Sequence, residues 1–154
     1  MRPEEELRFL ILAGQREGNR QLALALRPLG VTPAQAEVLR LLDDRAPLSL
    51  SGLGELLVCE SGTNPSRLVD RLVTAGLVNR SEAERDRRHV ELTLTDAGRQ
   101  IAKKIAGIEE ALYGYLREAA QGYDLAGALA LLRALVHGTQ AGSAVALRAG
   151  QQTR

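Results

Sequence analysis

Apolar residues recur at three- and four-residue intervals along most of this 154-residue chain, and at two-residue intervals in one stretch near its middle. The first period is that of a helix with one buried face, the second that of a strand. Leu7, Ile11, Leu22 and Ala25 fall near one stripe of a helix predicted over 4–26, with Leu10 and Leu26 beside it. Gly14 and Gly18 interrupt that helix, each costing about 1 kcal/mol relative to alanine, and point to another helix passing close by. Pro28 and Gly30 end it. Thr32-Pro33-Ala34-Gln35 starts a second helix: threonine caps, proline sits where its missing N–H is harmless, and glutamine completes a capping box. This helix runs to about Leu42, with Ala36, Leu39 and Leu42 inward, before a turn at Asp43, Asp44 and Pro47. Ser49 caps a short third helix that buries Leu53, Leu56 and Leu57. Cys59 to Ser61 is the next turn, and Ser61 caps a fourth helix reaching Ala75, with Leu68, Val69 and Leu72 on its apolar side. Gly76 stops it where the chain calls for a left-handed residue.

After Gly76 the period changes. Val78 and Arg80 alternate with Leu77 and Asn79, and Val90, Leu92 and Leu94 alternate with His89, Glu91 and Thr93. These are two strands of a hairpin. Its tip, Ser81 to Arg88, is polar except for Ala83. Two helices joined by a short turn and followed by a hairpin is the order of a winged helix-turn-helix. Thr95 caps a long fifth helix on which Ile101, Ile105, Ile108, Leu112 and Leu116 repeat. Gly122 and Asp124 break the pattern, and Leu125, Leu129, Leu132, Leu135 and Val136 define a sixth helix. Residues 149–154 carry no apolar pattern and are expected to fray.

The fold expected is therefore mainly α with a small β-hairpin wing: a six-helix winged helix-turn-helix in one domain spanning 1–154. Residues 32–94 form the reading unit. The helices of 4–29 and 96–147 lie outside it, and their apolar stripes exceed what so small a unit covers. Pairing with the same helices of a second chain would bury them, so a homodimer is expected.

Composition narrows the function. Hydrophobic residues make up 45% and charged residues 25%, which suits a globular core built without disulfide or metal. One cysteine, Cys59, excludes an intramolecular disulfide and fits a reducing compartment. No apolar run is long enough for a transmembrane helix, and the N-terminal Arg2-Pro3-Glu4-Glu5-Glu6 is acidic where a signal peptide is basic, so a cytoplasmic protein without membrane contact is expected. Net charge is only +1, but residues 60–104 carry nine basic against seven acidic side chains, so any nucleic-acid footprint is local. His89 and His137 are the only histidines, with no metal-ligand cluster, phosphate loop or nucleophile motif around them. An enzyme is not expected, nor a metal or cofactor.

Candidate chemistry sits at two places. The fourth helix presents Thr63, Asn64, Ser66 and Arg67 in its first turns, with Asp70 and Arg71 one turn on. Short donors and acceptors near a helix N-terminus reach base edges in a major groove, and arginine takes guanine through two hydrogen bonds. Pro65 near the fourth helical position either loosens the first turn or moves the helix start to Asn64. The hairpin tip carries Arg85, Asp86, Arg87 and Arg88. Arginines on such a loop enter a minor groove, and a carboxylate two residues away, Asp86, holds Arg88 in one rotamer. Cys59, ahead of the fourth helix, offers a redox alternative through a thiol activated at a helix N-terminus.

Leu68-Val69-Asp70-Arg71-Leu72, Gly76-Leu77-Val78, Asp86-Arg87-Arg88 and Leu92-Thr93-Leu94-Thr95-Asp96-Ala97-Gly98 together resemble the matching blocks of the MarR family (multiple-antibiotic-resistance regulators) in order and spacing. The stretch Gly62 to Pro65 departs from that pattern, which more often shows an uninterrupted helix-forming run there. The resemblance implies a homodimeric transcription factor, usually a repressor, on a pseudo-palindromic double-stranded operator. It also implies a wing Asp-x-Arg, here Asp86 and Arg88. A small phenolic or anionic effector between reading unit and dimer helices is further implied, with Arg16 and Arg20 as candidate contacts beside Gly14 and Gly18. Relatives that sense oxidants place their cysteine near the first helix, away from the position of Cys59. A winged-helix module that docks protein without reading DNA remains the other class, kept open by the near-neutral charge.

Overall fold

Caps decide where most helices of this chain begin. The structure, a computed structural model, describes residues 1–58, 64–82 and 90–150. Its elements are α1 (Pro3–Leu26), a 3-10 turn (Arg27–Leu29), α2 (Pro33–Arg45), β1 (Leu48–Ser49), α3 (Leu50–Leu56), α4 (Pro65–Thr74), β2 (Val78–Glu82), β3 (Val90–Leu94), α5 (Asp96–Ala119), α6 (Leu125–Leu135) and α7 (Gln140–Gly150). Thr32 and Gln35 form the expected capping box, with Gln35 N donating to Thr32 Oγ1 at 3.2 Å and Thr32 N to Gln35 Oε1 at 2.9 Å. Ser49 Oγ accepts from Gly52 N at 3.0 Å and Thr95 Oγ1 from Gly98 N at 2.9 Å. Such caps satisfy amides that the helix leaves without a partner.

The sheet order is β1-β3-β2, antiparallel throughout. Leu48 pairs with Leu92, and Val78 with Leu94, so Val78, Leu92 and Leu94 all face the core. The two-residue β1 carries no readable alternation and was not expected; only its pairing to β3 makes it a strand. Beneath the sheet, Leu26, Val38, Leu39, Leu53, Val69, Leu72 and Ile105 are almost completely buried. They bring one face each of α1, α2, α3, α4 and α5 onto a shared core.

Three expectations on helices change. The fourth helix starts at Pro65, not at Ser61, with Asn64 as its cap: Asn64 Oδ1 accepts from Ser66 N at 3.0 Å. Proline at the first helical position leaves no amide unpaired, which is the second of the two outcomes open at Pro65. Next, seven α-helices rather than six are found among the described residues, because the chain breaks at Gly138, in a left-handed conformation with φ +76°, and resumes as α7. Ala149 and Gly150 belong to α7 and not to a frayed tail; residues 151–154 lie outside the described set. α7 turns back and packs on α3, burying Ala144 completely. Last, among the described residues a Cβ placed on Gly14 or Gly18 would meet nothing from another element within 4 Å, so none of the described helices crosses α1 there. Among the described residues, no helix is long and apolar enough to cross a membrane.

Candidate nucleic-acid interface

On α4, Leu68, Val69 and Leu72 point into the core. The opposite side therefore carries Arg67, Arg71 and Thr74, four and three residues apart, and all three are exposed. Ser66 is half-buried and Asn64 is exposed, its side-chain oxygen already engaged as the cap. Asp70, which the sequence left to pair with Arg71 or another neighbour, accepts from Arg80 Nη1 at 2.9 Å. That pair links α4 to β2 across the base of the hairpin. With 56% of the Asp70 side chain and 37% of the Arg80 side chain exposed, it contributes at most about 1 kcal/mol; its role is orientation.

The junction that fixes helix to hairpin is made of backbone. Gly76 takes φ +72°, a conformation that strains any residue with a Cβ. Thr95 N donates to Leu77 O at 3.1 Å, and Thr95 Oγ1 to Gly76 O at 2.7 Å. The cap of α5 thus also receives the end of α4. Gly98, buried, lies so close to Leu77 that a Cβ would overlap the Leu77 carbonyl. The block Thr95-Asp96-Ala97-Gly98, singled out in the sequence, is the mortise into which the α4–β2 turn fits. Thr63, Arg85, Asp86, Arg87, Arg88 and Cys59 lie outside the described residues, as do Gly62 and His89.

A cleft of about 480 Å³ opens between α1, α2, α5 and α7, lined by both charges: Arg40, Arg45 and Arg148 face Glu37, Asp44 and Glu109, with Tyr113 at one side. Arg40 Nε donates to Glu109 Oε2 at 3.0 Å and Arg40 Nη1 to Asp43 Oδ2 at 2.7 Å, which ties α2 to α5. Partial burial pulls the Arg40 guanidinium toward lower pKa, but its bond to Glu109 and the charges of Glu109, Asp43 and Asp44 outweigh this and raise it. The Tyr113 phenol is raised above its ordinary 10.0 by burial first and by the Glu109 charge second. It is thus a neutral hydrogen-bond donor at physiological pH. Arg16 and Arg20 do not line this cleft. Both are exposed on α1, where Arg20 Nη2 meets Glu17 Oε1 at 2.6 Å. Hydrogen bonds from Arg20 first, then Gln21, hold the Glu17 carboxyl at about 2. The three cleft arginines were missed in the sequence, because Arg40, Arg45 and Arg148 are brought together only by the packing of α2 and α7. Glu37 was the available signal: a carboxylate between the inward Ala36 and Leu39 demands a buried partner.

Helix, turn, helix and hairpin around one core, with an arginine-bearing helix face left outside, define a winged helix-turn-helix DNA-binding protein. The comparisons agree. Residues 31–90 match the model of the MarR family. The organic hydroperoxide resistance transcriptional regulator of Bacillus subtilis is 31% identical over 121 residues, covering 79% of this chain and 82% of that one. The HTH-type transcriptional regulator SarZ of Staphylococcus epidermidis is 27% identical over 109 residues, covering 71% and 73%. Among solved structures, a mutant of MarR from E. coli complexed with operator DNA superposes with a TM-score of 0.73 at 28% identity, covering 85% of this chain and 94% of that one. The chain belongs to the MarR family and is a transcriptional regulator of that type.

Proposed function

We propose that this chain is a homodimeric repressor that reads a pseudo-palindromic operator and releases it when a small anionic or phenolic molecule occupies the cleft. The observation that carries the reading is the outward face of α4, where Arg67 and Arg71 stand free of the core beside the hairpin. Two such helices, related by a two-fold axis, enter successive major grooves, and Arg88 of each hairpin, oriented by Asp86, enters the flanking minor groove. That the E. coli relative has been solved complexed with operator DNA supports DNA as the partner.

A second copy of the chain accounts for the apolar surface. No residue of α6 is buried, although Leu125, Leu129, Leu132 and Leu135 lie on it; α1 likewise exposes Phe9 and Leu10. Exposed apolar surface on this scale marks an association site. The cleft suits an effector bearing a carboxylate or a phenolate: arginines bind the anion through paired N–H donors, and the neutral Tyr113 hydroxyl donates to it. An effector shifts operator affinity only by its preference for one of two conformations, here two spacings of the reading heads.

Fluorescence-anisotropy titration against the DNA upstream of the chain's own gene, run across a salt series, tests the reading. Tight binding with a steep salt slope, weakened by Arg71→Ala, is expected. Binding no tighter than to unrelated DNA at every salt concentration refutes it and leaves a protein-docking module.

A further inference from the structure

The end of α3 is held by a side chain from the far end of the chain. Arg148, on α7, donates from Nε to Leu56 O at 2.9 Å and from Nη2 to Glu37 Oε1. The same Glu37 oxygen accepts from Val58 N at 2.8 Å. One guanidinium and one carboxylate, on helices 111 residues apart in sequence, thus satisfy a terminal carbonyl of α3 and the amide two residues beyond it. Helix ends leave such groups without partners, and the Glu37 side chain is only 7% exposed, so little water is available to replace either bond. α7 is itself anchored by Arg45 Nη2, which donates to Arg148 O at 3.2 Å, and by the burial of Ala144.

α3 in turn seats the start of α4. The space beside Gly54 is closed by Pro65, whose Cγ would lie 3.6 Å from a Cβ placed there. Gly54 and Pro65 share a groove with Gln140, Ser143 and Leu147 of α7. α3 and the start of α4 are thus in direct contact, so displacing the C-terminus of α3 disturbs the seat of Pro65.

We propose that Arg148 is a positioning residue for DNA reading: together with Glu37 it clamps the α3 terminus and so sets the orientation of α4. This rests on reading α4 as the DNA-reading helix. Arg148 also lines the charged cleft, so an anion bound there competes with Glu37 for the guanidinium and loosens the clamp. That gives the effector of the proposed function a route to α4 of two side chains.

The test uses the full chain as wild type, Arg148→Ala, Arg148→Lys and Glu37→Gln. Amide hydrogen exchange is followed in the peptide containing Leu56 and Val58 and in peptides of α1 and α5, and operator affinity is measured across a salt series. Arg148→Ala is expected to speed exchange at 56–58 by about tenfold, as loss of a charge-assisted bond allows, with α1 and α5 unchanged. Operator affinity falls by a similar factor at unchanged salt slope, because no phosphate contact is lost. Lysine cannot span two acceptors with a planar fork, so Arg148→Lys falls between the two, and Glu37→Gln moves exchange in the same direction. Wild-type exchange at 56–58 in Arg148→Ala, or a lysine variant equal to wild type in both measurements, overturns the proposal. Unchanged affinity with accelerated exchange overturns it as well, since the clamp would then not reach α4. Failure of the wild type to bind DNA removes the underlying reading, and is told apart because the exchange data stand without DNA.

Discussion

Replacing Gly98 by alanine sets two physical effects against each other, and the sign of the result reports on the junction between α4, the hairpin and α5. Gly98 lies in the first turn of α5 with ordinary helical geometry, so helix propensity alone favours alanine by about 1 kcal/mol. Against this, the new Cβ would overlap the carbonyl oxygen of Leu77 and lie 3.0 Å from its carbonyl carbon. The obstruction is backbone and cannot rotate away. Leu77 O is also the acceptor for Thr95 N, so moving it stretches the bond that docks the α4–β2 turn on the α5 cap. Overpacking of this kind costs about 3 kcal/mol at the upper end of its usual range. Net of the propensity gain, Gly98→Ala is expected to destabilise by about 2 kcal/mol, read in urea unfolding as a lower midpoint at constant m-value. In a thermal scan the melting temperature falls by roughly 4–8 °C for a chain of this length. An unchanged or higher midpoint would falsify the close approach, and with it the claim that Thr95 to Gly98 forms the seat of the hairpin.

Other outcomes follow from the site. Arg71→Ala is expected to lower operator affinity and the salt slope by about 1, as loss of one phosphate-type contact does; an affinity loss confined to one base position would instead assign it to base reading. Arg88→Ala is expected to weaken operator binding and reduce the salt slope, and binding identical to wild type throughout the salt series removes the minor-groove role. Because burial and Glu109 raise Tyr113 above 10.0, its folded-state pKa exceeds the unfolded one. The associated stability is therefore complete below about pH 10 and is lost as pH rises through the folded value. Phenolate absorbance should show a late-titrating phase from Tyr113, and Tyr113→Phe should abolish that phase; its persistence in the variant refutes the assignment. Replacing Leu129 and Leu132 by glutamate is expected to give monomers in sedimentation equilibrium, and an unaltered dimer would place the interface elsewhere than α6.

Much of this molecule is local and was readable as such. Thr32, Ser49 and Thr95 cap helices because a side-chain oxygen two or three residues before the first free amides is correctly placed by sequence spacing alone. Gly76 ends α4 for an equally local reason, its positive φ. The period-2 stretches at 77–80 and 90–94 gave the hairpin, and the blocks from Leu68 to Gly98 gave the family. At Pro65 two local rules competed, a cap at Ser61 and the cost of an interior proline, and the structure follows the proline.

What spacing could not supply is every relation between distant segments. β1 is two residues long, and only β3 makes it a strand. Periodicity defined no helix after Val136, whereas the chain turns at Gly138 and α7 packs on α3. Arg16 and Arg20 were candidates because they lie on the first helix beside the small Gly14 and Gly18; Arg40, Arg45 and Arg148 line the cleft because tertiary packing collects them. The clamp of Arg148 on Glu37 and Leu56 is the extreme case. By itself the sequence determined the caps of α2, α3 and α5 and the two strands of the hairpin, since each depends on residues close by in the chain. Only the tertiary structure decided which charges meet, because a guanidinium and a carboxylate so far apart along the chain share a hydrogen bond only after the core has closed between them.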